Sequence, residues 1–143
     1  MRQLLSKSYK LFWVLIPFVF MYGLFNEEHS LVLNIHATYF VINHLVFAEL
    51  IVIFFAIFGL GYWLMDIFNR ELISWMTAYH VFISIFGFLI LLVFYGYVEN
   101  LEIDYAFKQT LMLFMLITAA VTVAAQLLFP LNFVLSFLRK RKR

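Results

Sequence analysis

The chain contains no cysteine, which excludes a disulfide framework, a thiolate-bound metal and an iron–sulfur cluster held by this chain alone. It has two prolines, Pro17 and Pro130, and five glycines in 143 residues, so nothing in it reads as a linker. Charge is scarce as well: Asp, Glu, Lys and Arg make up 13% of the chain, about half the share of a soluble domain. Apolar side chains fill the space, at 66% of the sequence with 19 phenylalanines, against about 45–50% in soluble domains. This excludes a water-soluble globule. It also excludes disorder, which needs low hydrophobicity and high net charge. The composition is that of an integral membrane protein.

A membrane helix needs about 20 mostly apolar residues to cross a hydrocarbon core of about 30 Å. Four stretches qualify, at about 9–25, 38–65, 75–98 and 107–138. Pro17 lies inside the first, and Pro130 is expected to kink the last third of the fourth. Short connections make neighbouring helices antiparallel. The expected fold is all-α: one four-helix transmembrane domain over residues 1–143. The first stretch follows basic residues as a signal peptide would. Tyr22, Phe25 and Asn26 stand where small cleavage-site residues belong, so it reads as a helix.

Orientation follows from the cations. Nine of the ten (Arg2, Lys7, Lys10, Arg70 and the tail 139–143) fall on the side that carries both termini. Only Lys108 falls opposite, beside Glu27, Glu28, Glu99, Glu102 and Asp104. Both termini are therefore expected in the cytoplasm, in a bacterial inner membrane. The basic tail reads as a topology anchor touching anionic lipid; no nucleic-acid partner is expected.

Ionisable residues inside the spans are the informative ones, because lipid makes them costly. His44 and Glu49 lie in the second stretch, His80 in the third, and His36 at the outer mouth of the second. His29, in the loop before it, reads as solvated. His44 is expected below the acidic loop, roughly 10–12 Å deep at 1.5 Å per residue. Small neighbours at Ala37 and Ala48 leave a trough beside it, suited either to close helix packing or to a flat macrocycle whose iron binds the ring. Glu49 lies about 140° around the helix from His44, so the two share no face. A carboxyl at that depth is expected either to carry protons or to stay neutral as a hydrogen-bond donor. Thr118, Thr122 and Gln126, at spacing four among alanines, read as a packing face with hydroxyl groups as glue.

The segment His36-Ala37-Thr38-Tyr39-Phe40-Val41-Ile42-Asn43-His44-Leu45-Val46 resembles the H-D-T-Y-[YF]-V-V-A-H-F-H motif of the haem–copper oxidase catalytic subunit. Gly61-Tyr62-Trp63 resembles the G-x-Y-Y-W that closes the same helix in that family. Asn69-Arg70-Glu71-Leu72 and Tyr79-His80-Val81-Phe82 resemble the following turn and the K-I-H-F entry to the next helix. The resemblance is strongest from His36 through the third helix, and the whole chain corresponds in length and topology to the last four of twelve helices. It implies that His44 ligates a haem iron and that His36 lies near an outer metal site and the haem propionates. Two motif positions depart: Ala37 replaces an aspartate of the outer metal site, and Val46 replaces the histidine of the second haem. The copper ligands belong to earlier helices, so no copper is expected from this chain alone. His80 is not a haem ligand in the family, and its depth differs from that of His44 by roughly 10 Å, too far to clamp one haem.

The resulting expectation is a haem-binding membrane protein, with haem type unassigned, in electron transfer or in gas or haem handling. A homotrimer would restore twelve helices, with a dimer as the alternative, and a respiratory-chain partner is possible in either. Two other readings stand beside it. One is a small proton-coupled transporter using Glu49, similar to the small multidrug transporters. The other is a cofactor-free structural or assembly subunit of a respiratory complex. No catalytic residue is assigned under any of them.

Overall fold

The computed structural model describes residues 7–28, 30–35, 38–99 and 104–138. In chain order these form α1 (Ser8–Phe25), β1 (Ser30–Ile35), β2 (Thr38–Asn43), α2 (His44–Ile67), α3 (Ser74–Glu99), α4 (Tyr105–Ala125) and α5 (Leu128–Leu138). Four helical stretches are long and apolar enough to cross a membrane: Ser8–Phe25, His44–Ile67, Ser74–Phe94 and Ala106–Leu138. The protein is mainly helical, as its composition predicts.

Neighbouring helices run antiparallel. Ring contacts link Phe12 of α1 to Phe55 and Tyr62 of α2, while Gly23, a helix length away, lies against Ala48. Tyr62 meets His80 and Phe54 meets Phe88, which sets α3 against α2 in the opposite sense. Gly87 faces Thr122 and Phe94 faces Phe114, which reverses α4 again. Residues near Ser8, the α2–α3 turn and α5 thus gather at one end, called here the terminal end. The β-hairpin marks the other.

Helix α2 is the hub. Its buried residues His44, Ala48, Ile51, Phe55, Phe58, Tyr62 and Met65 alternate spacings of four and three, one continuous stripe on a 3.6-residue helix. Gly23 lets α1 lie close on that stripe, since a side chain there would run into Ala48. Pro17 sits inside α1 without ending it.

Two expectations need correction. The second helix does not start near Thr38. Residues Thr38–Asn43 form β2, paired antiparallel with β1 from Ser30↔Asn43 to Ile35↔Thr38. Thr, Tyr, Phe, Val and Ile in succession are β-branched or aromatic, the residues that favour a pleated strand. Asn43 then fixes where the helix begins. Its side chain accepts from the Leu45 N–H at 2.7 Å, a helix N-cap, and its amide donates to the Glu27 carbonyl at 2.6 Å. The all-α fold is therefore a helical fold with one added hairpin.

The fourth stretch is broken rather than kinked at Pro130. A proline ring clashes with the carbonyl four residues back, here Gln126, and the break lies at Gln126–Leu127. Gln126, Leu127 and Phe129 each donate to the residue three positions back, at 3.1, 3.2 and 3.2 Å, which tightens the joint. Pro130 becomes the third residue of α5, where a backbone N–H has no helical partner to lose.

Candidate functional site

His44 is the first residue of α2, at the hairpin end, rather than several turns down a longer helix. Its ring is only 1% exposed and continues the inward stripe above Ala48 and Ile51. A haem bound there would need an open face beside the imidazole. In this packing the imidazole is buried. His36, His29 and Ala37 lie outside the described residues. Glu49 is exposed, on the side of α2 turned away from its buried stripe. His44 and Glu49 are not brought together. Among the described residues no three His, Cys, Asp or Glu side chains are grouped as a metal site would need.

The polar chemistry gathers instead around His80, toward the terminal end. His80 is fully buried on α3, and α1, α2 and α5 each contribute a ring. Phe58 meets it edge-on at 4.7 Å, Phe129 lies at 5.5 Å and Phe12 at 6.2 Å between ring centroids. Its two nitrogens are both engaged. Nδ1 lies 2.9 Å from the Tyr62 hydroxyl and Nε2 lies 3.2 Å from Gln126 Oε1. Ser84 donates to the same Gln126 oxygen at 3.1 Å. Gln126 Nε2 donates to the Thr122 carbonyl.

These bonds fix the direction of every proton in the chain. A backbone carbonyl can only accept, so the Gln126 atom facing Thr122 must be the amide nitrogen. Its oxygen then faces His80 and Ser84 and accepts from both. His80 Nε2 must therefore carry the hydrogen, which leaves Nδ1 as the lone-pair acceptor for the Tyr62 hydroxyl. One neutral tautomer satisfies the set.

Below the cluster, α5 continues the polar contact with α3. Asn132 Oδ1 accepts from the Ile73 N–H at 2.8 Å, and its amide donates to the Ile73 carbonyl at 3.3 Å and to Thr77 Oγ1 at 2.9 Å. Ser136 Oγ donates to the Glu71 carbonyl at 3.0 Å, and Arg70 lies 5.0 Å over the Phe137 ring. In one unbroken helix Asn132, six residues after Gln126, would point about 120° away from it. The break at Gln126–Leu127 supplies that rotation. Thr122, Gln126 and Asn132 consequently face α3, and Ser136 faces the turn before it.

The expected packing face of Thr118, Thr122 and Gln126 is thus partly realised. Thr118 and Thr122 donate to carbonyls four residues back in their own helix, and Gln126 crosses to α3. Sequence reasoning missed Tyr62, Ser84, Asn132 and Ser136. The one available signal was Asn132 and Ser136 at spacing four, masked by the change of phase. No family model, curated protein or solved structure matches this chain.

Proposed function

We propose that the protein is a structural subunit of a larger membrane assembly, docked through the outward face of α2. The observation that supports this is Glu49. It sits five residues into α2, about 7.5 Å along the axis from His44, among exposed Val46, Leu50 and Ile53. A carboxyl on a lipid-facing surface is costly unless another polypeptide or water reaches it. Among the described residues no ion pair or hydrogen bond holds its side chain within the chain. The terminal end is taken as cytoplasmic, from the nine cations that flank it.

The transporter reading needs Glu49 to line a passage. On one chain it faces outward, so only an assembly of chains would build one. The haem reading rests on the resemblance around His44 and requires the packing over that ring to open.

Single-cysteine cross-linking tests the proposal cleanly, because the chain has no native cysteine. Ile53→Cys, on the outward face, should cross-link to a second copy or to a co-purifying partner in native membranes. Phe55→Cys, on the buried stripe, should not. A monomer that cross-links to nothing at Ile53, with association unaltered by Glu49→Leu, would refute the proposal. A stoichiometric Soret band lost in His44→Ala would replace it with the haem reading.

A further inference from the structure

We propose that the His80–Gln126 contact is a proton-sensitive latch holding the α4–α5 joint closed. The argument starts at the joint. At the joint the N–H groups of Gln126, Leu127 and Phe129 reach back three residues instead of four, and Pro130 has no N–H to offer Gln126. The backbone is therefore weakest where Gln126 sits. Side chains make up the difference, with Gln126 gripping Thr122 in its own helix and His80 and Ser84 across the interface.

The grip depends on one charge state. Neutral His80, protonated at Nε2, accepts from Tyr62 and donates to Gln126, so each polar atom in the line is used once in the right sense. A proton arriving at Nδ1 turns that acceptor into a donor. The Tyr62 hydroxyl, 3% exposed, would then have to accept, and its own hydrogen would lose its partner. A full positive charge would also stand in a shell of rings with no carboxylate among the described residues in contact to compensate it.

The groups that face His80 are few. From α1 it meets Phe12, from α2 Phe58 and Tyr62, from α4 Gln126 and from α5 Phe129. Tyr62 is the sole titratable side chain among these contacts. Of the described charged side chains at the same end, Lys7, Lys10, Asp66 and Glu71 are exposed, and half-buried Arg70 lies over the Phe137 ring. A charged ring can be stabilised only by water. Water can enter most cheaply at the joint, where the regular helical bonding is interrupted and the helix ends are near. His80 lies six residues from the start of α3, about 9 Å, and Tyr62 five from the end of α2, about 7.5 Å. Acid on that side of the membrane thus loosens Gln126 and lets α5 move relative to α4.

Hydrogen exchange of the full chain in lipid nanodiscs, followed from pH 7.5 to pH 3.5 and corrected for intrinsic rates, tests the latch. Amides of residues 123–131 should gain at least tenfold in exchange on acidification, while those of 48–60 in α2 stay unchanged. His80→Gln, which can still donate to Gln126 but cannot take the proton, should abolish that gain. Nitrogen-15 spectra of the wild-type protein at neutral pH should show the Nε2-protonated tautomer, and the ring should become doubly protonated over the pH range in which exchange rises. Exchange at the joint that ignores pH would overturn the proposal, as would an Nδ1-protonated ring at neutral pH or an unchanged acid response in His80→Gln. Should His80→Gln fail to fold, the wild-type exchange series and the tautomer decide the matter alone.

Discussion

Asn132 pairs with the backbone of Ile73 in both directions, accepting its N–H at 2.8 Å and donating to its carbonyl at 3.3 Å. A side-chain amide here does what a neighbouring strand would do, and it fastens the start of α3 to α5 across 59 residues of sequence. Asn132→Ala should lower stability by about 1–3 kcal/mol, since a partly buried donor and acceptor lose their partner together. Asn132→Asp keeps the acceptor but loses both donations and buries a carboxyl against the Ile73 carbonyl, so it should cost at least as much. Reversible unfolding in mixed micelles, compared with Ser136→Ala as a milder control, measures the difference.

Pro130→Ala is expected not to stabilise the chain, although removing proline from an apolar helix ordinarily would. A restored N–H would let α4 run on into α5 and swing Asn132 about 120° off α3, and Ser136 off the turn before it. The outcome should be equal or lower stability, with slower amide exchange at 125–129 and faster exchange at 73–77. A clear gain in stability with no change at 73–77 would contradict the re-phasing account.

Gly23→Val should separate α1 from α2, because the added side chain meets Ala48, which cannot swing away. A loss of about 1–3 kcal/mol is expected, typical of overpacking. Gly23→Ala should cost less, and Ala48→Gly should recover part of that loss in the double variant. Purely additive effects would show that the two residues do not touch.

Asn43→Ala removes the cap of α2 and its tie to Glu27 together, and should cost about 0.5–2 kcal/mol. Asn43→Asp keeps the cap and loses only the donation to the Glu27 carbonyl. Exchange of the amides of Leu45 and Val46 should therefore rise in the first variant and stay near wild type in the second.

Much of the fold is legible in the sequence, because lipid imposes a length and composition that four runs satisfy. The hairpin is not, since Tyr39 to Ile42 are as apolar as a membrane helix and hydropathy cannot separate the two. Asn43 was the readable clue, a capping residue inside an apolar run. Depth and the family's pattern set His80 aside as a haem ligand in the sequence. Its role as the centre of a cluster was hidden, because Tyr62 and Gln126 lie 18 and 46 residues away and no local pattern links them. The joint was half visible. Pro130 announces a disturbance, but only the carbonyl at Gln126 says where it falls.

Two helix pairs of different character result. Helices α1 and α2 meet through close-packed apolar surface, with Gly23 on Ala48 and Trp13 over Gly59. Helices α3 and α5 meet through hydrogen bonds whose worth depends on the exclusion of water. The solvent around the protein therefore sets its weak point. A thin bilayer or a short-chain detergent, by wetting the terminal end, loosens the second pair while the first stays docked. Stabilities measured in two detergents would then differ because different halves of the molecule come apart first.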